Sequence, residues 1–256
     1  MRNIIISLFF GIGALIVVGA YMVGAFPDAK EGMPTTSPLL MPLTSKVVPT
    51  PTPLPSPSIL PERVVHSVSF VAQAPFGDWA DPRQQGACEE STMLMAVRWA
   101  RGETINPATV LEDIFALSDF GKNRFGTIRD TSAQDTALFA TEFLNHPNVS
   151  VENDPTIDDI RRALASGAVV AVPTNGQVIG NPYYTPPGSA YHMVLIIGYD
   201  NAHGVFITND PGTRHGASFE YPYATLYNGI RDYPTGDHEP VPRIIKTMIV
   251  VRQAMR

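Results

Sequence analysis

A chain of 256 residues with a formal net charge of −6 and no basic run is not built to hold nucleic acid or an anionic lipid surface by charge. Its single cysteine excludes an internal disulfide. In an exported chain a lone thiol implies either an intermolecular bridge or a reactive sulfur.

Export is the expectation from the first segment. Met1-Arg2-Asn3 puts a positive charge ahead of an apolar run from Ile4 to Phe26, broken only by glycines and Ser7. That length suits a bilayer-spanning helix. A signal peptide is the alternative, with Val18-Gly19-Ala20 and Val23-Gly24-Ala25 as small-residue cleavage sites. Residues 1–26 are therefore read as a membrane anchor or signal peptide that places the rest outside the cytoplasm, membrane-anchored or secreted. From Pro27 to Pro61 the chain is rich in Pro, Thr and Ser, a composition that favours extended polyproline conformations over ladders or helices. It reads as a disordered stalk. Residues 62–256 remain, enough for one well-cored domain.

Within that domain His66 to Ala72 alternates like a strand, and Gln73 to Trp79 is a turn-rich loop. Met93, Leu94, Val97 and Ala100 recur at helical spacing behind Cys88, with Glu89 and Glu90 suited to the first turn and Gly102 to the stop. Asn106-Pro107 opens a second helix reaching about Leu117, and Gly121 to Asp130 is loop. Thr131 or Ser132 starts a third helix, to about Leu144. Val149 to Val151 is a short strand, and Thr156 caps a helix that stops at Gly167. Ala168 to Pro173 is a buried strand, Asn175 to Ala190 a long loop, and Tyr191 to Tyr199 a strand paired as a hairpin with Val205 to Thr208. A short helix near Tyr223 to Ile230 and a strand from Arg243 to Val251 complete an α+β arrangement.

Cys88 falls at or just before a helix N-terminus, where unpaired N–H groups and the helix dipole favour a thiolate. A buried, inert cysteine is the bland alternative. A cysteine nucleophile needs an imidazole base and a group to hold it. Of six histidines, His192 stands at the mouth of an apolar strand. His66, His146 and His238 lie in segments without a matching partner, and His203 and His215 lie in a turn and a loop. Asp210 leaves the partner strand where His192 enters its own, and antiparallel pairing brings a start beside an end. Asn209 is the alternative orienting group, and a plain turn is the bland reading of Asn209-Asp210-Pro211-Gly212. Oxyanion donors are expected from the Cys88 N–H and from the amide of Gln85, Gln84 or Gln73. Glu89 and Glu90 run against the scheme, since adjacent carboxylates oppose thiolate formation unless they point away. No close Cys/His pair is present, so no metal or cofactor is expected.

The segments Val71–Trp79, Gln85–Glu90, Tyr191–Val194 through Gly198–Asp200, and Asn209–Gly212, with Asn175-Gly176 and Asn181–Tyr183, together resemble bacterial papain-like cysteine peptidases. The resemblance is to the group related to the bacteriocin leader peptidases, family thirty-nine, in its stand-alone exported form. It covers about residues 65–252. It implies a papain-like fold, an N-terminal helical part carrying the cysteine and a C-terminal antiparallel sheet carrying the His and Asp. It further implies Cys88 as nucleophile, His192 as base and Asp210 as orienting acid, with a glutamine completing the oxyanion hole. In many papain-like enzymes that glutamine lies six residues before the cysteine. Pro82 stands there, so Gln85 is the candidate with Gln84 and Gln73 as alternatives. The expected activity is peptide-bond hydrolysis through an acyl-enzyme, on a peptide, protein or peptidoglycan cross-bridge. An inactive peptide- or cell-wall-binding module on the same scaffold is the competing class.

Overall fold

The apolar runs meet in one antiparallel sheet. The computed structural model describes residues 60–254; the predicted apolar segment 4–26 and nearly all of the predicted stalk 27–61 lie outside the described residues. Among the described residues no helix is long and apolar enough to cross a membrane.

The sheet has the order β2 (Val149–Asn153), β7 (Thr247–Arg252), β3 (Ala168–Thr174), β4 (His192–Asp200), β5 (Val205–Asn209), β6 (Phe219–Pro222), and β1 (Arg63–Val65) pairs the far end of β4. Both faces are covered, which is why β3 and β4 read as continuous apolar runs rather than alternating ones. Val169, Ala171, Met193, Leu195 and Ile249 face one core, with α2 (Cys88–Ala100), α3 (Val110–Phe125) and α4 (Ala133–Leu138). Val170, Val172, Val194, Ile196 and Val250 face the other, with α5 (Ile157–Ala165), α6 (Gly176–Ile179) and α7 (Tyr223–Gly229). A short α1 (Pro82–Gln85), capped by Asp81, precedes α2.

The α2 helix is the hub. Its apolar stripe was expected on one face, yet every residue from Cys88 to Val97 is buried, because the sheet covers one side and α3 and α4 the others. Full burial of side chains such as Met93, Leu94 and Val97 contributes about 1.5–3 kcal/mol each. It also drags Glu89, Glu90, Ser91 and Thr92 out of water.

Other boundaries differ from the sequence reading for local reasons. The stretch from His66 to Ala72 is not a strand: β1 ends at Val65, and Val71 N–H turns to the Met95 sulfur. The second helix starts at Val110, since Asn106 to Thr109 closes a turn of its own. It then runs through the predicted loop to Phe125, where Phe120 and Phe125 pack edge-on against Phe139, and ends at Gly126 with φ 82°. After α4 the chain widens into a single π turn, Phe139–Phe143. Thr156 caps α5 with a full capping box to Asp159. The hairpin of β4 and β5 is present, with a register shift between Ile196 and Gly198. A Cβ on Gly198 would collide with the Val64 carbonyl, so glycine is what lets β1 lie against β4 there. The last strand starts at Thr247 rather than Arg243.

Candidate active site

Cys88 is the first residue of α2, His192 the first of β4, and Asp210 the first after β5. In the β4–β5 ladder Leu195 pairs with Asn209, so the start of one strand lies beside the end of the other, and His192 Nε2 meets Asp210 Oδ1 at 2.8 Å. Cys88 and His192 line one open cleft of about 200 Å³ together with Gln73, Gln85, Trp79 and Tyr184. With Nε2 committed to Asp210, Nδ1 is the imidazole nitrogen left for a thiol.

Asp210 is fully buried and saturated with donors. Oδ1 accepts from His192 and from Gly212 N–H at 3.0 Å. Oδ2 accepts from Tyr184 Oη and Tyr221 Oη, each at 2.6 Å, and from Asn181 Nδ2 at 2.9 Å. Burial alone would push this carboxyl up; the His192 imidazole and the hydrogen bonds from His192, Tyr184 and Tyr221 outweigh it and hold it down at about 2. Burial pushes both tyrosines up, and the Asp210 charge adds to it, so they stay donors. Asn209, the alternative orienting group, is turned away: its amide donates to Val68 O and accepts from Ser218 N–H.

The helix-borne half is different. Cys88 is 5% exposed, and its Sγ donates to Glu89 Oε2 at 2.9 Å. Glu89 Oε1 accepts from Tyr233 Oη at 2.7 Å and from Thr131 N–H. The expectation of a thiolate favoured by the helix start is therefore corrected: burial, then the neighbouring Glu89, pushes the Cys88 thiol well above its usual range, with Asp130 and Glu90 adding to it. Burial likewise raises Glu89 to about 7, against the hydrogen bonds from Cys88 and Tyr233, and burial beside Glu89 raises Glu90 well above the carboxylate range. One proton is thus held between Cys88 and Glu89. Glu90 Oε2 is buried with no hydrogen-bond partner among the described residues, which also calls for the neutral acid.

The three candidate glutamines separate. Gln84 is buried, and its side chain is not part of the cleft wall. Gln73 and Gln85 both line the cleft. Gln73 Nε2 donates to the carbonyls of Gln84 and Gln85, which engages both its hydrogens. Among the described residues Gln85 Nε2 donates only to Trp79 O and keeps one N–H free. The Cys88 N–H belongs to a first helical turn, whose N–H groups have no intrahelical acceptor.

The remaining histidines are engaged elsewhere. His66 and His146 meet the carbonyls of Leu164 and Arg252, His203 meets Asp200, His238 meets Asp130, and His215 accepts from Arg214. Among the described residues no cluster of three His, Cys, Asp or Glu could hold a metal ion. Sequence reasoning missed Tyr184, Tyr221 and Tyr233, although Asn181 lay in a segment already singled out.

Chemically, the cleft joins a thiol, an imidazole held by a carboxylate whose pKa is lowered to about 2, and amide donors from Gln73 and Gln85. Among solved structures the chain is similar to a protein from Bacillus anthracis described as a C39-like peptidase, with 15% identity over 76% of this chain and 100% of that one (TM-score 0.47). It is also similar to xylellain, a cysteine protease from Xylella fastidiosa, with 14% identity over 77% of this chain and 88% of that one (TM-score 0.40). No curated protein matches the chain. The fold is the papain-like α+β arrangement expected from the sequence. The Peptidase_C39 like family model matches residues 65–234, a span that holds Cys88, His192 and Asp210 alike, and on that match the chain belongs to this papain-like cysteine-peptidase family.

Proposed function

We propose that the protein is a cysteine peptidase that hydrolyses peptide bonds through Cys88, His192 and Asp210, with its catalytic domain held outside the cytoplasmic membrane by residues 4–26. The observation that carries the catalytic part is the His192–Asp210 pair at 2.8 Å opening into the same cleft as Cys88. His192 Nδ1 takes the Sγ proton, and the sulfur attacks the scissile carbonyl carbon. The tetrahedral oxyanion is held by the Cys88 N–H and the free amide N–H of Gln85. Collapse expels the amine, which receives the proton from His192, leaving a thioester. His192 then takes a proton from water, hydroxide adds to the thioester, and the carboxylic product leaves as the sulfur is restored.

Glu89 sets the condition for the first step. Ionised, it holds the thiol proton and opposes a thiolate; neutral, its hydroxyl donates to the sulfur and supports one. Since burial raises Glu89 to about 7, its opposition to a thiolate weakens on the acid side of neutrality. Hydrolysis of a mixed peptide library is the test: Cys88→Ala should abolish it, and turnover surviving in that variant ends this reading.

A second reading rests on the same Cys88–Glu89 contact: a cleft kept for binding peptides, its sulfur locked as a thiol. Iodoacetamide labelling separates the two. A catalytic Cys88 labels quickly at pH 6–7 and slows in His192→Ala; a locked one labels slowly in both.

A further inference from the structure

The cleft at Cys88 does not end at the catalytic side chains. It shares Trp79, Thr185 and Gly212 with a second cavity of about 760 Å³, and that one shares Pro75, Phe76 and Arg214 with a third of about 320 Å³, otherwise walled by groups such as Phe70, Ile105 and Val110. Arg214 stands where the second and third meet.

The charge along this path is one-sided. Among the described residues no carboxylate lines any of the three cavities, in a chain whose Asp and Glu outnumber its Lys and Arg by 24 to 18. Arg83, Arg98, Arg124, Arg129 and Arg161 each have a carboxylate partner; among the described residues Arg214 has none, as Arg101, Arg231 and Arg243 have none, but of these four only Arg214 lines the groove. It is nonetheless braced: its Nε donates to His215 Nε2 at 3.1 Å, and the His215 ring stacks on Tyr183 at 4.5 Å. This engages Nε, and no hydrogen bond holds the terminal N–H groups among the described residues, while the side chain lines both cavities. Three large apolar side chains exposed to solvent, Phe76, Trp79 and Tyr183, line the same cavity. The core gains nothing from exposing them. A peptide laid over them would bury them and strengthen any charge pair at Arg214 by excluding water.

We propose that this groove binds a peptide bearing a carboxylate, with Arg214 holding the carboxylate and Phe76 and Trp79 packing the residues between it and the scissile bond. That the bound peptide is also a substrate rests on the hydrolase reading; its binding does not. The carboxylate has two sources, an acidic side chain or a chain terminus.

Matched peptide pairs decide between them, one pair exchanging Glu for Gln internally, the other a free acid for an amide at the C-terminus. Binding is measured on full-length Cys88→Ala protein by anisotropy of fluorescein-labelled peptides. One carboxylate member should bind about tenfold tighter than its neutral partner, the scale of a hydrogen bond to a charged group, and added salt should erode the difference. Whichever pair shows the preference names the source. In Cys88→Ala combined with Arg214→Gln the ratio should fall to about one. Equal binding within both pairs, or a preference that survives Arg214→Gln, overturns the proposal. Wild-type protein that cleaves all members alike, with equal binding, would retain the hydrolase and remove this inference. A preference in Cys88→Ala with no cleavage by wild type would do the reverse.

Discussion

The two halves of the cleft between Cys88 and His192 hold their charges in opposite ways. On the sheet side Asp210 is buried yet ionised, because five donors converge on it and one is the His192 imidazole. On the helix side Cys88, Glu89 and Glu90 are equally buried, but hydrogen-bond donors are few, and each is pushed toward its protonated form. Burial is the same; the opposite charge of His192 together with the converging donors on one side, and like-charged carboxylates on the other, decide the outcome. The sheet side is therefore preorganised as a base with its counter-charge in place, whereas the helix side stores a proton that must leave before chemistry starts.

The largest way to break this asymmetry, after removing the sulfur itself, is Asp210→Asn. It keeps the shape but removes the charge that stabilises an imidazolium, and it invites the wrong imidazole tautomer. We expect kcat to fall by about 10³–10⁴-fold, measured as single-turnover acylation. The same carboxylate sets a pH limit on stability. Its folded value, about 2, lies below its unfolded one, so its contribution is complete above the ordinary carboxylate range and is lost as pH falls toward 2.

Next in size is Gly212→Ala. A Cβ there would stand 2.8 Å from His192 Cε1 and 3.0 Å from Tyr184 Cε1, so the imidazole must move. A displacement of a few tenths of an ångström to 1 Å should cost up to about 10²-fold in kcat, with thermal unfolding of the variant checked separately to show that the fold survives.

Glu89→Gln sharpens the helix side. It removes a carboxylate that opposes the thiolate above pH 7 and leaves an amide able to donate to the sulfur. Iodoacetamide labelling of Cys88 at pH 8 should accelerate by about tenfold, and the gain should vanish near pH 5, where Glu89 is neutral in either case. Linkage gives a second readout. Glu89 has its folded value, about 7, above its unfolded one, so the wild type loses stability as pH rises from about 4.5 to 7. Chemical denaturation of the variant should show that loss reduced, by on the order of 1–3 kcal/mol.

How legible each half was in the sequence follows from the same difference. Cys88, His192 and Asp210 could be placed because a helix start and a hairpin register are local or nearly local features. The fate of Glu89 could not be placed, because its partner Tyr233 lies 144 residues away and because α2 is buried on every side rather than along one stripe. Tyr221 stayed hidden for another reason. It sits on β6, an edge strand in which burial falls on Tyr221 while Glu220 and Pro222 are exposed, too short an alternation to separate from turn. Gln84, Gln85 and Gln73 were indistinguishable by spacing, since only the tertiary path of the loop ahead of α1 brings Gln73 to the cleft.

The smallest expected effect tests whether the donors around Asp210 act together. Tyr221→Phe removes one donor from Oδ2 and leaves Tyr184 and Asn181 on the same oxygen. Asn181 Nδ2 also loses the Tyr221 oxygen it donates to, but its bond to Asp210 remains. If saturation is what keeps Asp210 ionised, one lost bond of about 1 kcal/mol should raise its titration by less than a pH unit and lower kcat by about threefold or less. The acid limb of the pH–rate profile is the measurement. Tyr184→Phe should do about the same, since it too loses one donor to Oδ2 and keeps the ring that packs edge-on against His192 at 5.3 Å. A Tyr221→Phe effect as large as that of Asp210→Asn would mean that a single hydroxyl, not the set of five, holds the carboxylate charged.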